Sequence, residues 1–287
     1  MPDNIKELNC CSRKADILNI NTEENVKGLV TSCNSVGSKI SALYERKLYK
    51  TIALDLAAAN LNELACSGCR AVGFADYITA DNSSNNDGIT QIRKELNTIL
   101  KEYNCPILGG QIREDDYVIK ENNIDICGFA LGINPISKPK IVSGDIVVGL
   151  SSNGLHITGF SLVRKLYLEG RLTEEEYCAC LAPSYIYYKE VVNLFKQQKI
   201  KDCVNITCGG IYGSVNRILP KGLKADLNLK HIPPQPIFNK IKELCPDEFY
   251  NIFNAGIGFC LIAERASNEI FFEDCKKFNP IVLGVIE

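Results

Sequence analysis

Short apolar runs of strand length alternate with helical patterns along this chain, and they do so twice. The two series lie on either side of "NPISKPKIVSGD", a stretch with two prolines and a glycine that breaks both periodicities. Before it, "GLVTSCN", "AVGFADYIT", "CPILGG" and "DICGFALGI" read as strands. Between them, "YKTIALDLAAANLNELACSG" and "DGITQIRKELNTILKEYN" read as helices. Ile89, Ile92, Leu96 and Leu100 share one stripe of the second helix, so that helix covers one face of a sheet. After the junction, "DIVVGLSS" and "FNAGIGFCLIA" read as strands, and "FSLVRKLYLEG" and "YIYYKEVVNLFKQQK" as helices. "DCVNITCGGIYGSVNRILP" reads as strand, glycine turn and helix. A chain of 287 residues can carry two domains of ordinary size. The expectation is two α/β or α+β halves, residues 1–135 and 136–287.

Glycine-rich turns stand at the ends of several apolar strands: "SVGSK", "LGGQ", "SNGLHITG" and "CGGIYG". Exposed backbone amides in such turns can bind phosphate oxygens, because no side chain blocks the approach. Their recurrence favours an anion or nucleotide site over simple chain reversal. "VGSK" is not a P-loop, which needs a glycine four residues before Gly-Lys-Ser/Thr. The formal net charge of −2 gives no basic field for nucleic acid or anionic lipid, so a phosphate-bearing ligand is a small one held by local groups. No apolar run reaches the roughly 18 residues of a membrane span, and the N-terminus lacks a signal-peptide core. A cytoplasmic location is expected. The 14 cysteines are scattered and read as buried free thiols. Cys66 and Cys69 form a CxxC without a second pair or a near histidine, and Cys10 and Cys11 are adjacent, a spacing that seldom bridges.

Several single residues admit a functional and a structural reading. "LVTSCNSVGSKI" runs from strand into a small-residue loop that ends at Lys39 but carries no carboxylate. Asp55 and Glu63 are eight residues apart on one helix and nearly share a face, as metal ligands or as a solvated acidic end. Asp76 ends an apolar strand, where it either points into a site or closes a turn. His156, between two glycines, either contacts an anionic substrate and moves a proton or bonds its own loop. His231, before two prolines, reads as structural.

In this order the segments resemble the aminoimidazole ribonucleotide synthetase family, the phosphoribosylformylglycinamidine cyclo-ligases of purine synthesis. "LVTSCNSVGSKI" is similar to the family's Thr-Asp-Gly-Val-Gly-Thr-Lys loop, and "ALDLAAANLNEL" to its helix ending in Asn-Asp. "GFADYITA" resembles its strand ending in Asp-Tyr, and "ILGGQ" its Gly-Gly-Glu turn. "GLSSNGLHITGFSLVRK", "LAPSYIYYK", "NITCGGIYGSVNRILP" and "FNAGIGF" follow its C-terminal segments, so the likeness spans about residues 29 to 285. The resemblance implies a homodimer whose N-terminal halves join in a central β-barrel, with a C-terminal sheet covered by helices. It implies ATP and Mg²⁺ as cofactors and a small nucleotide as substrate. ATP would phosphorylate the formyl amide oxygen, the amidine nitrogen would attack, and phosphate would leave as the imidazole closes. Residue by residue, it implies catalytic roles for Lys39 and His156. Nucleotide contacts fall to Asn34, Gly37, Ser38, Asn62, Asp76, Gly109, Gly110 and Gln111. Substrate contacts fall to Ser152, Thr158, Thr207, Gly209 and Gly210, with Glu63 as a metal ligand.

The departures from the family pattern cluster at ligand-facing positions. Asn34 and Gln111 stand where the family has aspartate and glutamate, and Glu63 replaces an aspartate. Ser35 and Cys208 replace glycines, Thr158 an asparagine and Asn205 a histidine. The resemblance also implies that the family's N-terminal segment is shortened here to about 28 residues. An amide oxygen can coordinate magnesium, but it lacks the charge that makes a hard cation bind well. Three readings follow. The first is a working cyclo-ligase. The second is a weak or inactive homologue serving as a binding or dimer partner, and the third is another ATP-using enzyme of the same superfamily.

Overall fold

The computed structural model describes residues 26–81, 86–115, 117, 119, 123–265 and 273–287. Cys10, Cys11 and the centre of the polar loop at 81–87 lie outside them. The chain divides into two compact units, Met1–Pro135 and Ile136–Glu287, each with its own sheet.

In the first unit β1 (Leu29–Ser35) leads through Gly37 into α1 (Lys39–Glu45) and α2 (Tyr49–Cys66). Then come β2 (Arg70–Ala80), α3 (Asn86–Glu102), β3 (Ile107–Glu114) and β4 (Ile124–Ile133). The sheet order is β1-β4-β2-β3. Strands β2 and β3 are parallel because α3 carries the chain across between them, and the other neighbours are antiparallel. Helix α1 is absent from the sequence reading: seven residues give no repeated stripe, and its buried face begins with a lysine. Helix α2 is alanine- and leucine-rich and buried along most of its length, so its polar Asp55, Asn60 and Asn62 are interior groups. Ile89, Ile92, Leu96 and Leu100 of α3 are buried as the stripe requires, and Asp87 and Lys101 sit at the ends where the helix dipole favours them.

Strand alternation gives this sheet two different faces. Asn34, Gly128, Asp76 and Gly110 pair in one row across all four strands and face the helices. The next row, Ser35, Cys127, Tyr77 and Gln111, faces away. On that second face Tyr77 and Phe129 are 41% and 45% exposed, and Cys33 is exposed beside them.

The second unit begins with β5 (Ile146–Ser151), α4 (Phe160–Leu168), α5 (Glu174–Ala179) and α6 (Tyr188–Lys196). It continues with β6 (Asp202–Asn205), α7 (Gly210–Ile218), β7 (Ala225–Leu227), α8 (Pro236–Leu244), α9 (Phe249–Ile252), β8 (Ile257–Ala263) and β9 (Ile281–Ile286). Its sheet order is β6-β8-β5-β9-β7, with every neighbouring pair antiparallel. Every residue of β8 is buried, so both faces of that strand are covered. Thr173 and Glu176 cap α5 reciprocally, a signal present in "RLTEEEYC" that the sequence reading passed over. The fold class is therefore mixed α/β with two sheets, and the described part of the N-terminal sheet is open.

Candidate functional site

In the first unit the polar residues of the helix-side row are engaged with the protein. Asn60 of α2 accepts from Ser32 Oγ at 3.0 Å and from the Asn34 amide at 3.1 Å, and donates to Asn34 O at 3.2 Å. It pins the end of β1 to the helix. Asn34 donates its side-chain NH₂ to Ser32 Oγ (2.9 Å) and Ala59 O (3.3 Å). The amide thus suits its surroundings, since a carboxylate there would face a carbonyl oxygen it cannot bond. Nothing in the sequence singled out Asn60, because an asparagine in a helix carries no pattern of its own.

Asp76 points under α3. Arg93 donates to both of its oxygens, Nε to Oδ2 at 2.8 Å and Nη2 to Oδ1 at 2.7 Å. The Asp76 side chain is fully buried. Burial pushes its carboxyl above the usual range and the Arg93 guanidinium pulls it back. Gly110 opposes it in register because a Cβ there would lie 1.7 Å from Asp76 Oδ1. Lys39 and Asp55 form a second ion pair at 2.9 Å, both side chains 0% exposed. This pair separates Asp55 from Glu63, which is half-buried farther along α2.

The other expected nucleotide contacts are dispersed. Gly37 is exposed, with φ +65° and open space around it, and Ser38 is half-buried at the start of α1. Asn62 is buried in α2, and Gly109 is half-buried opposite Ala75. Gln111 is exposed on the sheet face opposite to Asn34, so the two amides do not converge. These donors do not fit magnesium. Both oxygens of Asp76 are bonded to Arg93, Asp55 is enclosed with Lys39, and among the described residues no group of three histidine, cysteine or acidic side chains could hold a metal. Of the CxxC pair, Cys69 is buried and structural in kind: it donates to Leu64 O at 3.3 Å, and burial pushes its thiol up to about 11.

In the second unit the loop after β5 is held by side chains from distant segments. Ser152 N donates to Gly256 O at 2.8 Å. Asn254, 0% exposed, donates to Gly154 O at 3.0 Å and accepts from Gly256 N at 3.1 Å. Asn254 is a second organising residue whose importance is invisible without the fold, since its partner Gly154 is 100 positions away. Ser152 is buried with Oγ 3.5 Å from Asn254 Oδ1, and Thr158 Oγ1 donates to Leu155 O at 2.8 Å.

His156 is buried in this loop at φ +57°. Its Nε2 accepts from the amides of Asn153 and Tyr185, both at 3.3 Å, so the neutral ring carries its proton on Nδ1. The ring lies near Tyr185 and Tyr187. Tyr187 donates to Ser151 O at 2.8 Å, and burial pushes its hydroxyl well above the usual value, which keeps it a donor. His156 therefore ties its own loop to the segment before α6. In the turn before α7, Thr207 is half-buried and Gly209 exposed. Gly210 is buried at φ +60°, where a Cβ would fall 2.0 Å from Tyr250 O. Only glycine fits there.

Comparison with known proteins agrees across both units. Residues 13–134 match "AIR synthase related protein, N-terminal domain", and residues 142–287 match the corresponding C-terminal domain. Phosphoribosylformylglycinamidine cyclo-ligase of Alkaliphilus metalliredigens is 33% identical over 258 residues, 84% of this chain and 74% of that protein. The cyclo-ligase of Clostridium perfringens (strain 13) is 32% identical over 264 residues, 87% of this chain and 78% of that one. Among solved structures, the E. coli hydrogenase maturation protein HypE superposes with a TM-score of 0.72 at 14% identity, covering 96% of this chain and 85% of that chain. Thiamine monophosphate kinase from Aquifex aeolicus gives 0.64 at 15% identity, covering 90% and 85%. These two likenesses concern the fold.

Proposed function

The chain belongs to the AIR synthase related family, and from that premise we propose that it is a cytoplasmic, homodimeric, ATP-using enzyme that cyclises formylglycinamidine ribonucleotide to aminoimidazole ribonucleotide. The observation that carries this reading is identity of about one third to named cyclo-ligases over both units. ATP, when bound, supplies the phosphoryl group that activates the formyl oxygen. The chain's own share is positioning. The open turn at Gly37 and Ser38, with Gly109, offers backbone to the nucleotide on the first unit, and Thr207 and Gly209 offer it to the substrate on the second. Lys39 and His156 act from within, Lys39 by holding α1 against α2 through Asp55 and His156 by setting the loop after β5. Asn34, Asn62, Asp76, Gly110, Ser152 and Thr158 shape these turns. Gln111 is exposed on the sheet face away from the helices, and Glu63 is half-buried on α2. The exposed sheet face with Tyr77 and Phe129 is the surface through which a second copy would complete a barrel.

The Asp76–Arg93 pair favours a second reading, in which the chain is a weak or inactive homologue that serves as a binding or dimer partner. Calorimetry with ATP, with and without magnesium, separates the two when followed by phosphate release on adding formylglycinamidine ribonucleotide. Saturable ATP binding with substrate-dependent phosphate release supports the enzyme. Absence of ATP binding at millimolar nucleotide removes it.

A further inference from the structure

Two thiols meet on the face of the first sheet that points away from the helices. Cys33 of β1 opposes Phe129 and Cys127 of β4 opposes Ser35, so the cysteines are diagonal neighbours on one side of an antiparallel pair. Their Sγ atoms are 3.5 Å apart, one thiol donating to the other, although 94 positions separate them in the chain. Cys33 is exposed and Cys127 half-buried, whereas Cys69, Cys105 and Cys260 are 0% exposed and out of an oxidant's reach. A disulfide is about 2.05 Å long, so the two sulfurs, already turned toward each other, need about 1.5 Å of further approach. Strand β1 lies at the sheet edge and pairs with β4 alone among the described strands. It can supply that shift without moving the centre of the sheet.

We propose that Cys33 and Cys127 form a reversible redox site that exchanges with small disulfides of the glutathione class and, when oxidised, staples β1 to β4. The exposed Cys33 thiolate attacks one sulfur of the small disulfide, giving a mixed disulfide and releasing one thiol. The Cys127 thiolate then attacks Cys33 Sγ, closes the intrachain bond and releases the second thiol. Two protein thiols are oxidised, the small disulfide is reduced to two thiols, and the two cysteine protons end on those thiols. Burial, and then the hydrogen bond to Cys33, push the Cys127 thiol up to about 11. The second of these causes disappears once Cys33 is in the mixed disulfide, which eases the closing step. In a reducing compartment such a bond is transient, as suits a sensor. Strand β1 runs directly into the Gly37 turn, so the staple also restrains that turn. The site stands apart from the proposed cyclisation.

The test treats the full chain with oxidised glutathione and maps tryptic peptides without reduction. Residues 28–39 and 121–140 form two such peptides, each holding a single cysteine. They should appear as one linked species that dithiothreitol separates, and amide exchange across β1 should slow while the link is present. Cys127→Ser should accumulate a glutathione adduct on residues 28–39 that the wild type does not hold, and Cys33→Ser should give neither link nor adduct there. The Phe129→Asp chain undergoes the same mapping, because a second copy on this face would shield Cys33. A link in that variant alone upholds both the pair and the proposed dimer, and a link in both chains upholds the pair whatever the dimer does. A link absent from both, or Cys33 joined indiscriminately to other cysteines, overturns the proposal.

Discussion

The guanidinium of Arg93 meets the carboxylate of Asp76 through two parallel hydrogen bonds, 2.8 and 2.7 Å, beneath α3. At the position where the family likeness expects a nucleotide-facing acid, the first unit has a bidentate interior ion pair.

Removing the arginine should leave a buried, unpaired carboxylate. Arg93→Leu is expected to cost about 3–5 kcal/mol, measured by urea unfolding at pH 7. The sign of the pH dependence follows from burial, which holds the folded Asp76 carboxyl above its ordinary value despite Arg93. Its stabilising contribution is complete below the unfolded pKa and is lost as pH rises through the folded one. The loss should extend to higher pH in Arg93→Leu, and Asp76→Asn should flatten that part of the profile. Identical profiles in all three proteins would contradict the assignment.

Lys39 and Asp55 are both fully enclosed, so each single substitution strands a charge. Lys39→Met is expected to destabilise by about 3 kcal/mol or more. The double variant Lys39→Met/Asp55→Leu should recover a large part of that loss, because an apolar pair of similar volume needs no desolvation of charge. A double-mutant cycle with a coupling energy near zero would argue against the pair.

Restoring acids at positions 34 and 111 should not rebuild a metal site, because their side chains lie on opposite faces of one sheet. Asn34→Asp/Gln111→Glu should leave the magnesium dependence of ATP affinity within about threefold of wild type, which calorimetry with magnesium or chelator would measure. Asn34→Asp alone should lower stability by about 1–3 kcal/mol, since a carboxylate would then face the Ala59 carbonyl in place of the amide that donates to it. A tenfold gain in magnesium-dependent affinity would show that the two positions do converge.

A charge placed on the exposed sheet face should dissociate a dimer that closes over it. Phe129→Asp or Tyr77→Lys is expected to convert the proposed dimer to monomer in analytical ultracentrifugation, with little change in monomer circular dichroism. A monomeric wild-type chain, or variants that remain dimeric, would locate no interface on this face.

The strands and long helices were legible because their periodicities are local. The stripe of Ile89, Ile92, Leu96 and Leu100 requires a helix whatever packs on it, and the short, glycine-broken apolar segment of β8 has the length of a strand. The short α1 and the proline-bearing stretch around α8 were not, since too few turns repeat or prolines interrupt them. The family likeness was also a property of the sequence alone, carried by collinear glycine turns. What each turn's side chains do was decided only by tertiary structure. Arg93 is 17 positions from Asp76, Asp55 is 16 from Lys39, and Asn254 is 100 from Gly154. An acid or amide in a sequence shows what it can bond, but the partner it bonds is set by register and burial. Here those forces turn Asp76 inward to the half-buried Arg93 and Asp55 to the buried Lys39, and send Asn34 and Gln111 to opposite sides of the sheet.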